Sequence, residues 1–314
     1  MTQKGSLPLI LESDNFPENS VECLIEYNVT EQLKVKEWLA KYGAILYRGF
    51  KFATVNEFEL LVSNLPFSCV PYVGGDSPRT KLTQKVYNST EYPADQSIVL
   101  HNEMTFSNTY PRYLFFYCET PASHGGETLL LDNRYLYKLL PYTLIKKYQQ
   151  KKLKYVMNLH NGYGIGKSWE DVFETNQKAE VEQILKERSI DYHWKLNNNL
   201  QISEIVQPVI LHPNTNEWIF ISQAHQWHYT NLDSDTYESL LDMMPEIEFY
   251  HYVCHADDNP LDINELNLTR KIINEIKIAI PLQHGDILFI DNLLTMHGRN
   301  PYKGERKIRL ALAN

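Results

Sequence analysis

His101 and Glu103 stand two residues apart in the run IVLHNE, and His297 follows far downstream in TMHGRN. Imidazole, carboxylate and imidazole make the donor set of a mononuclear metal site. On a strand, residues two apart face the same side, so His101 and Glu103 can take adjacent corners of one ion. A third ligand from a distant strand completes a facial triad and leaves three coordination positions open. Such a triad suits non-haem iron(II), whose open positions take a chelating cosubstrate and dioxygen. The same donors would also hold zinc with a water in the fourth place, as in a hydrolase. One histidine among eleven carries little weight; the pair with a distant third carries the signal.

Two further residues favour the oxygenase reading. Thr128 opens a strand-like run just after the first ligand pair, in Gly125-Gly126-Glu127-Thr128, and Arg306 starts the last such run, shortly after His297. A dicarboxylate such as 2-oxoglutarate puts one end on the iron and needs a planar fork of donors for the other, which arginine supplies. Thr128 can add a neutral hydrogen bond to that carboxylate. A zinc hydrolase has no use for such a clamp. A non-catalytic binding module on the same barrel is the third reading, and the intact ligand set argues against it.

These residues need strands to hold them. Short apolar runs bounded by Gly, Pro and Asn predict strands at 44–50, 112–118, 127–132, 205–212, 217–222, 246–254, 276–282, 286–291 and 306–313. Thr54 with Glu57 forms a capping box for a helix carrying Phe58, Leu61 and Val62 on one side. Thr30 is expected to cap a helix that ends at Gly43. Helical patterns also occupy 133–150, 175–188 and about 235–243. The expectation is one β-rich domain over 1–314, a barrel or sandwich, with a helical insertion at about 133–200.

Composition restricts the function further. A net charge of -9 argues against nucleic acid, whose phosphates call for a basic face. The start MTQKGSLPLI lacks the apolar run of a signal peptide. No apolar run approaches the ~20 residues of a membrane span. Cys23, Cys69, Cys118 and Cys254 form no CxxC pair, and reduced thiols in a cytoplasmic protein are expected. Aromatics at 12% suit a ring-lined pocket.

The chain resembles the TauD/TfdA-type oxygenases, in their clavaminate synthase-like branch, which uses HxE where the taurine dioxygenase branch uses HxD. The resemblance runs through YGAILYRGF (42–50), STEYPADQSIVLHNE (89–103), HGGETLLLD (124–132), HPNTNEWIFISQAHQWH (212–228) and GDILFIDNLLTMHGRNPYKGERKIRLALA (285–313). It implies a double-stranded β-helix, or jelly roll, with iron(II) on His101, Glu103 and His297. It implies 2-oxoglutarate held by Thr128 and Arg306, and oxidation of an unactivated C–H by dioxygen. Arg309 competes with Arg306; being three apart on a strand they face opposite sides, and Arg306 precedes Ala311 by the family's interval. The second arginine of taurine dioxygenase falls here on Leu310, which disfavours taurine. The retained Glu103 disfavours halogenation. The branch implies an amino acid, or an aminoacyl or peptidyl group that can be carrier-bound, as substrate in specialised metabolism.

Outside that frame, Arg79 in GGDSPRT sits in a Gly/Pro-containing loop, where contact with substrate under a lid and a plain solvated loop are both open, and Arg299 is expected on a substrate carboxylate or on Asp291. Gln223, His225 and His228 invite a second metal, but no carboxylate lies at matching spacing, so pocket wall or hydrogen-bonded core is expected.

Overall fold

A computed structural model describes residues 7–77, 79–89 and 91–314. Residues 1–6, Pro78 and Thr90, which belong to segments quoted above, lie outside the described residues.

The main sheet has six strands, in the order Leu9–Glu12, Ala44–Arg48, Ile287–Asp291, Tyr113–Thr120, Lys307–Ala313 and Tyr87–Asn88. Its inner strands are apolar on both faces because both faces are covered. One face packs Leu46, Leu114, Phe116 and Leu310 into a large core shared with the second sheet. The other packs Ile45, Phe115, Phe289 and Ala311 against the N-terminal helices, through Leu24, Leu39, Phe58 and Leu61. The second sheet has four strands: Ile278–Ile280, Thr128–Asp132, Thr295–Arg299 and Ile98–His101. The two sheets form the jelly roll that the sequence suggested, strand-rich with helices around it.

The second sheet sets the register of the site. His297 lies directly opposite His101, and on its other side the strand pairs Arg299 with Thr128. Between them Gly298 lets the strands close: a Cβ there would lie 2.6 Å from the Ile98 carbonyl oxygen and 3.2 Å from the Leu100 nitrogen. No shift of a flexible side chain could relieve that contact, since both atoms are backbone.

Several local expectations hold. The capping box at Thr54 and Glu57 forms and starts the helix Val55–Asn64. Gly43 ends the helix Gln32–Tyr42 in the left-handed region, at φ 76°. Thr30 does not cap that helix; it closes the preceding one, Val21–Thr30, and turns its hydroxyl back to the Glu26 carbonyl at 2.8 Å. Ser20, capping the Cys23 N–H, supplies that earlier start.

The stretch 133–200 departs from the helical insertion expected. Helices Asn133–Leu139, Tyr142–Lys151, Trp169–Phe173 and Lys178–Glu187 are present, but so are strands Leu153–Leu159 and Asp191–Trp194. These join Leu200–Val206 and His251–His255 in a third sheet of four strands. In LKYVMNL the outward residues are Lys154 and Asn158, which sit poorly with strand propensity and concealed the alternation. The helix Ile263–Ile276 likewise takes Ile276 from a run read as strand, after a cap by Asp262. All four cysteines are free thiols. Among the described residues no helix is long and apolar enough to cross a membrane.

Gly298→Ala is therefore expected to lower stability by about 1–3 kcal/mol, the usual cost of forcing an extra carbon into a packed seam. A denaturation midpoint equal to wild type would show that the two ligand strands are not held this close.

Candidate active site

The His101, Glu103 and His297 side chains are buried, and one donor atom from each lies within 4.8 Å of the others. His101 and His297 come from facing strands, and their rings stand 4.4 Å apart. His101 Nδ1 donates to the Val99 carbonyl at 2.8 Å, which fixes the tautomer and leaves Nε2 with its lone pair free. His297 turns Nε2 toward Glu103 Oε2, 3.8 Å away. Burial, with the charges of His101 and Arg79 nearby, pushes His297 far below the usual histidine range, so it is neutral and able to ligate.

Glu103 reaches the site by a route that strand parity does not describe. The strand ends at His101, and Asn102 and Glu103 lie in the turn beyond it, before Met104 at φ 58°. Asparagines fix that turn. The Asn292 side chain accepts from the Glu103 N–H at 2.7 Å and donates to the Glu103 carbonyl at 2.9 Å and to the Pro111 carbonyl at 2.8 Å. Asn102 donates to the Asn292 carbonyl and accepts from Asn133 Nδ2 at 3.0 Å. Asp291 anchors the next turn through the Leu293 and Leu294 N–H groups and is itself bound by Arg112 and His212. Asn102, Asn133 and Asn292 had no role in the sequence reading. The signal was present in the DN dipeptide six residues before His297, but a turn asparagine and a ligand clamp look alike in sequence.

Thr128, Arg306, Phe116 and Ile308 line the same cavity as the two histidines. Arg306 donates Nε to the Gly126 carbonyl at 3.2 Å and has no acidic partner among the described residues. Burial, and Arg299 beside it, bring its pKa down to about 10, which leaves it charged at neutral pH. A buried cation without a counter-ion is costly, and a carboxylate beside it would lower that cost. Gly126, at φ 72°, makes the space: a Cβ there would lie 3.2 Å from Arg306 Cδ. Arg309 faces away and is taken up by Glu119 and Asn88. Strand parity does not separate the two arginines, because Arg306 precedes the strand and the register slips between Lys307 and Ile308; it is the Glu119 and Asn88 contacts that keep Arg309 out of this cavity.

Arg299 also borders the cavity, but its guanidinium bonds the carbonyls of Tyr92, Pro93 and Gln96 at 3.3, 2.7 and 2.6 Å. It ties down the segment leading into the His101 strand. Its expected pairing with Asp291 does not occur, because Arg112 and His212 occupy that carboxylate. Arg79 is no solvated loop residue: its side chain is 2% exposed and pairs with Glu103 at 2.5 Å. Gln223, His225 and His228 form no second metal site. Gln223 donates to the Asn102 carbonyl, His225 to the Leu100 carbonyl at 2.8 Å, and His228 meets Thr230.

The donor set fits a divalent ion: one histidine whose Nδ1 is engaged by a backbone carbonyl, a second held neutral by burial, and one carboxylate. The unpaired Arg306 fits a dicarboxylate beside it. On this jelly roll His101, Glu103 and His297, with Arg306 beside the histidines, make a candidate site for one metal ion. The chain matches the model of the family "Taurine catabolism dioxygenase TauD, TfdA family" over residues 25–312 and belongs to that family. It is 31% identical over 278 residues to the dapdiamide synthesis protein DdaC of Enterobacter agglomerans, spanning 88% of this chain and 84% of that one. A clavaminate synthase-like protein of Arabidopsis thaliana is 27% identical over 306 residues, spanning 94% and 89%. The solved structure of PvcB, an iron, α-ketoglutarate dependent oxygenase from an isonitrile synthetic pathway, shares the fold at a TM-score of 0.53 and 14% identity, covering 99% of this chain and 88% of that one. The protein is thus a 2-oxoglutarate-dependent dioxygenase, and its cofactors are iron(II), 2-oxoglutarate and dioxygen.

Removing the fork tests the cosubstrate side. Arg306→Ala deletes a charged hydrogen-bonding pair worth about 1.5–3 kcal/mol, so affinity for 2-oxoglutarate, measured by titration, should fall roughly 10- to 150-fold. Arg309→Ala should leave it unchanged. The reverse pattern would put the wrong arginine in the cavity.

Proposed function

We propose that this dioxygenase oxidises an unactivated C–H, by hydroxylation or desaturation, of an amino acid or of an aminoacyl or peptidyl group, free or carrier-bound, in a cytoplasmic biosynthetic step. His101, Glu103 and His297 hold the iron in this reading. Thr128 and Arg306 hold the far carboxylate of 2-oxoglutarate, Arg79 meets the substrate, and Arg299 positions the ligand strand. The chain acts as one unit over 1–314. The observation that carries the proposal is the convergence in one cavity of the triad's histidines with a buried arginine that has no counter-ion among the described residues.

When bound, iron with 2-oxoglutarate and dioxygen supplies the oxidising power to break a C–H bond. The protein's own residues do the rest. His101, Glu103 and His297 would hold the ion from the sheet side, and Thr128 and Arg306 line the cavity beside the two histidines, where a chelating cosubstrate would sit. Arg306 fixes the cosubstrate's orientation with two parallel donors. Phe116, which packs 5.2 Å from His297, and Ile308 keep that side apolar and exclude water. A hydrolase built on the same donors leaves Arg306 and Thr128 without a task. The kinship with a protein named for dapdiamide synthesis supports a place in specialised metabolism, and the substrate class follows from the clavaminate synthase-like branch.

Turnover with iron(II), ascorbate and 2-oxoglutarate, screened over amino acids and small peptides, tests this reading by succinate and product mass together. Glu103→Ala removes the one anionic ligand and is expected to abolish both readouts at saturating iron. Succinate yields equal to wild type would mean that Glu103 is not a ligand.

A further inference from the structure

We propose that Arg79 is an internal counter-ion for Glu103 that the divalent metal displaces, and that the released guanidinium then binds a carboxylate of the substrate. This rests on the metal site proposed above and deepens it.

Two distances define the competition. Glu103 Oε2 is the oxygen that faces His297 Nε2 at 3.8 Å, and it is also the oxygen that Arg79 Nη2 contacts at 2.5 Å. Oε2 is thus the oxygen already placed to share a divalent ion with His297. Two cations on one buried oxygen repel strongly, because little water screens them. The guanidinium therefore moves as the ion arrives.

Arg79 is built to move without unfolding its surroundings. Its guanidinium stacks over the Tyr72 ring at 4.4 Å, a contact that permits sliding. The loop beneath is fastened elsewhere: Ser77 N–H donates to Tyr72 OH at 2.9 Å, Lys167 donates to the Ser77 carbonyl at 3.1 Å, and Asp76 accepts from Tyr250 and His251 at 3.0 and 2.9 Å. Arg79 Nε and Nη1 are buried and have no partner among the described residues. After release, the side chain carries a buried charge and a full planar fork of donors. A carboxylate meets both needs; a neutral amide meets neither. Arg299 is less suited, since both of its Nη atoms already bond carbonyls and only Nε is left without a partner among the described residues.

The test measures Mn(II) binding by electron paramagnetic resonance in wild type, Arg79→Gln, Arg79→Lys and His297→Ala, with circular dichroism to confirm the fold. Arg79→Gln, freed of the competing charge, should bind Mn(II) at least about tenfold more tightly. Arg79→Lys keeps the charge and should stay close to wild type. Equal or weaker binding by a folded Arg79→Gln overturns the counter-ion, since a residue that merely orients Glu103 would weaken binding when lost. If His297→Ala binds as tightly as wild type, the metal site itself is wrong. The second arm adds N-acetylglycine or N-acetylglycinamide to protein loaded with Mn(II) and N-oxalylglycine, and reads proton relaxation of the small molecule. The acid should relax strongly in wild type and weakly in Arg79→Gln, and the amide weakly in both. No relaxation of the acid, or equal relaxation of acid and amide, overturns the carboxylate assignment.

Discussion

The site depends on the grip of the Asn292 side chain on the backbone of Glu103. One carboxamide satisfies both the N–H and the carbonyl of that residue, as a neighbouring strand would. Such bonds contribute about 1 kcal/mol net when made, and leaving a buried group unpaired costs about 1–3 kcal/mol. The clamp is needed because the His101 strand has already ended. Without it the carboxylate would sit on a free turn, while both histidines are fixed by sheet register. Since Asn292 follows the strand Ile287–Asp291 of the main sheet and Glu103 follows a strand of the second sheet, the same bonds also tie the two layers together at the metal.

Charge is the second organising constraint. Three arginines border the site, and each is treated differently. Arg299 spends its charge on backbone carbonyls and holds the approach to His101 in place. Arg306 stays charged beside Arg299 and has no acidic partner among the described residues, a cost that a bound carboxylate would relieve. Arg79 is matched to Glu103, whose own carboxylate is needed elsewhere. A net charge of -9 over the whole chain hides this positive lining. Bulk charge and site charge are separate properties.

That His101, Glu103 and His297 meet, and that Thr128 and Arg306 lie beside the two histidines, was legible in the sequence because spacing, strand order and the family blocks all constrain these positions. The capping box at Thr54 was legible because its chemistry is local. What escaped was either non-local or disguised. Strand parity placed His101 and Glu103 on one face, but the strand ends at His101 and Glu103 is held in the following turn by Asn292. The third sheet was hidden by Lys154 and Asn158 on its outward face. Arg79 could not be distinguished from a solvated loop residue, because its partner is 24 positions away and nothing in GGDSPRT announces it. Asn133 is a further case, since its donor reaches back 31 positions to Asn102.

The most direct measurement is the visible charge-transfer band that appears when iron(II) and 2-oxoglutarate are mixed with the protein under strict exclusion of oxygen. The account requires this band in wild type and its loss in both His101→Ala and His297→Ala, with each variant shown to be folded. A band of undiminished strength in both variants would contradict the assignment of the metal to these residues.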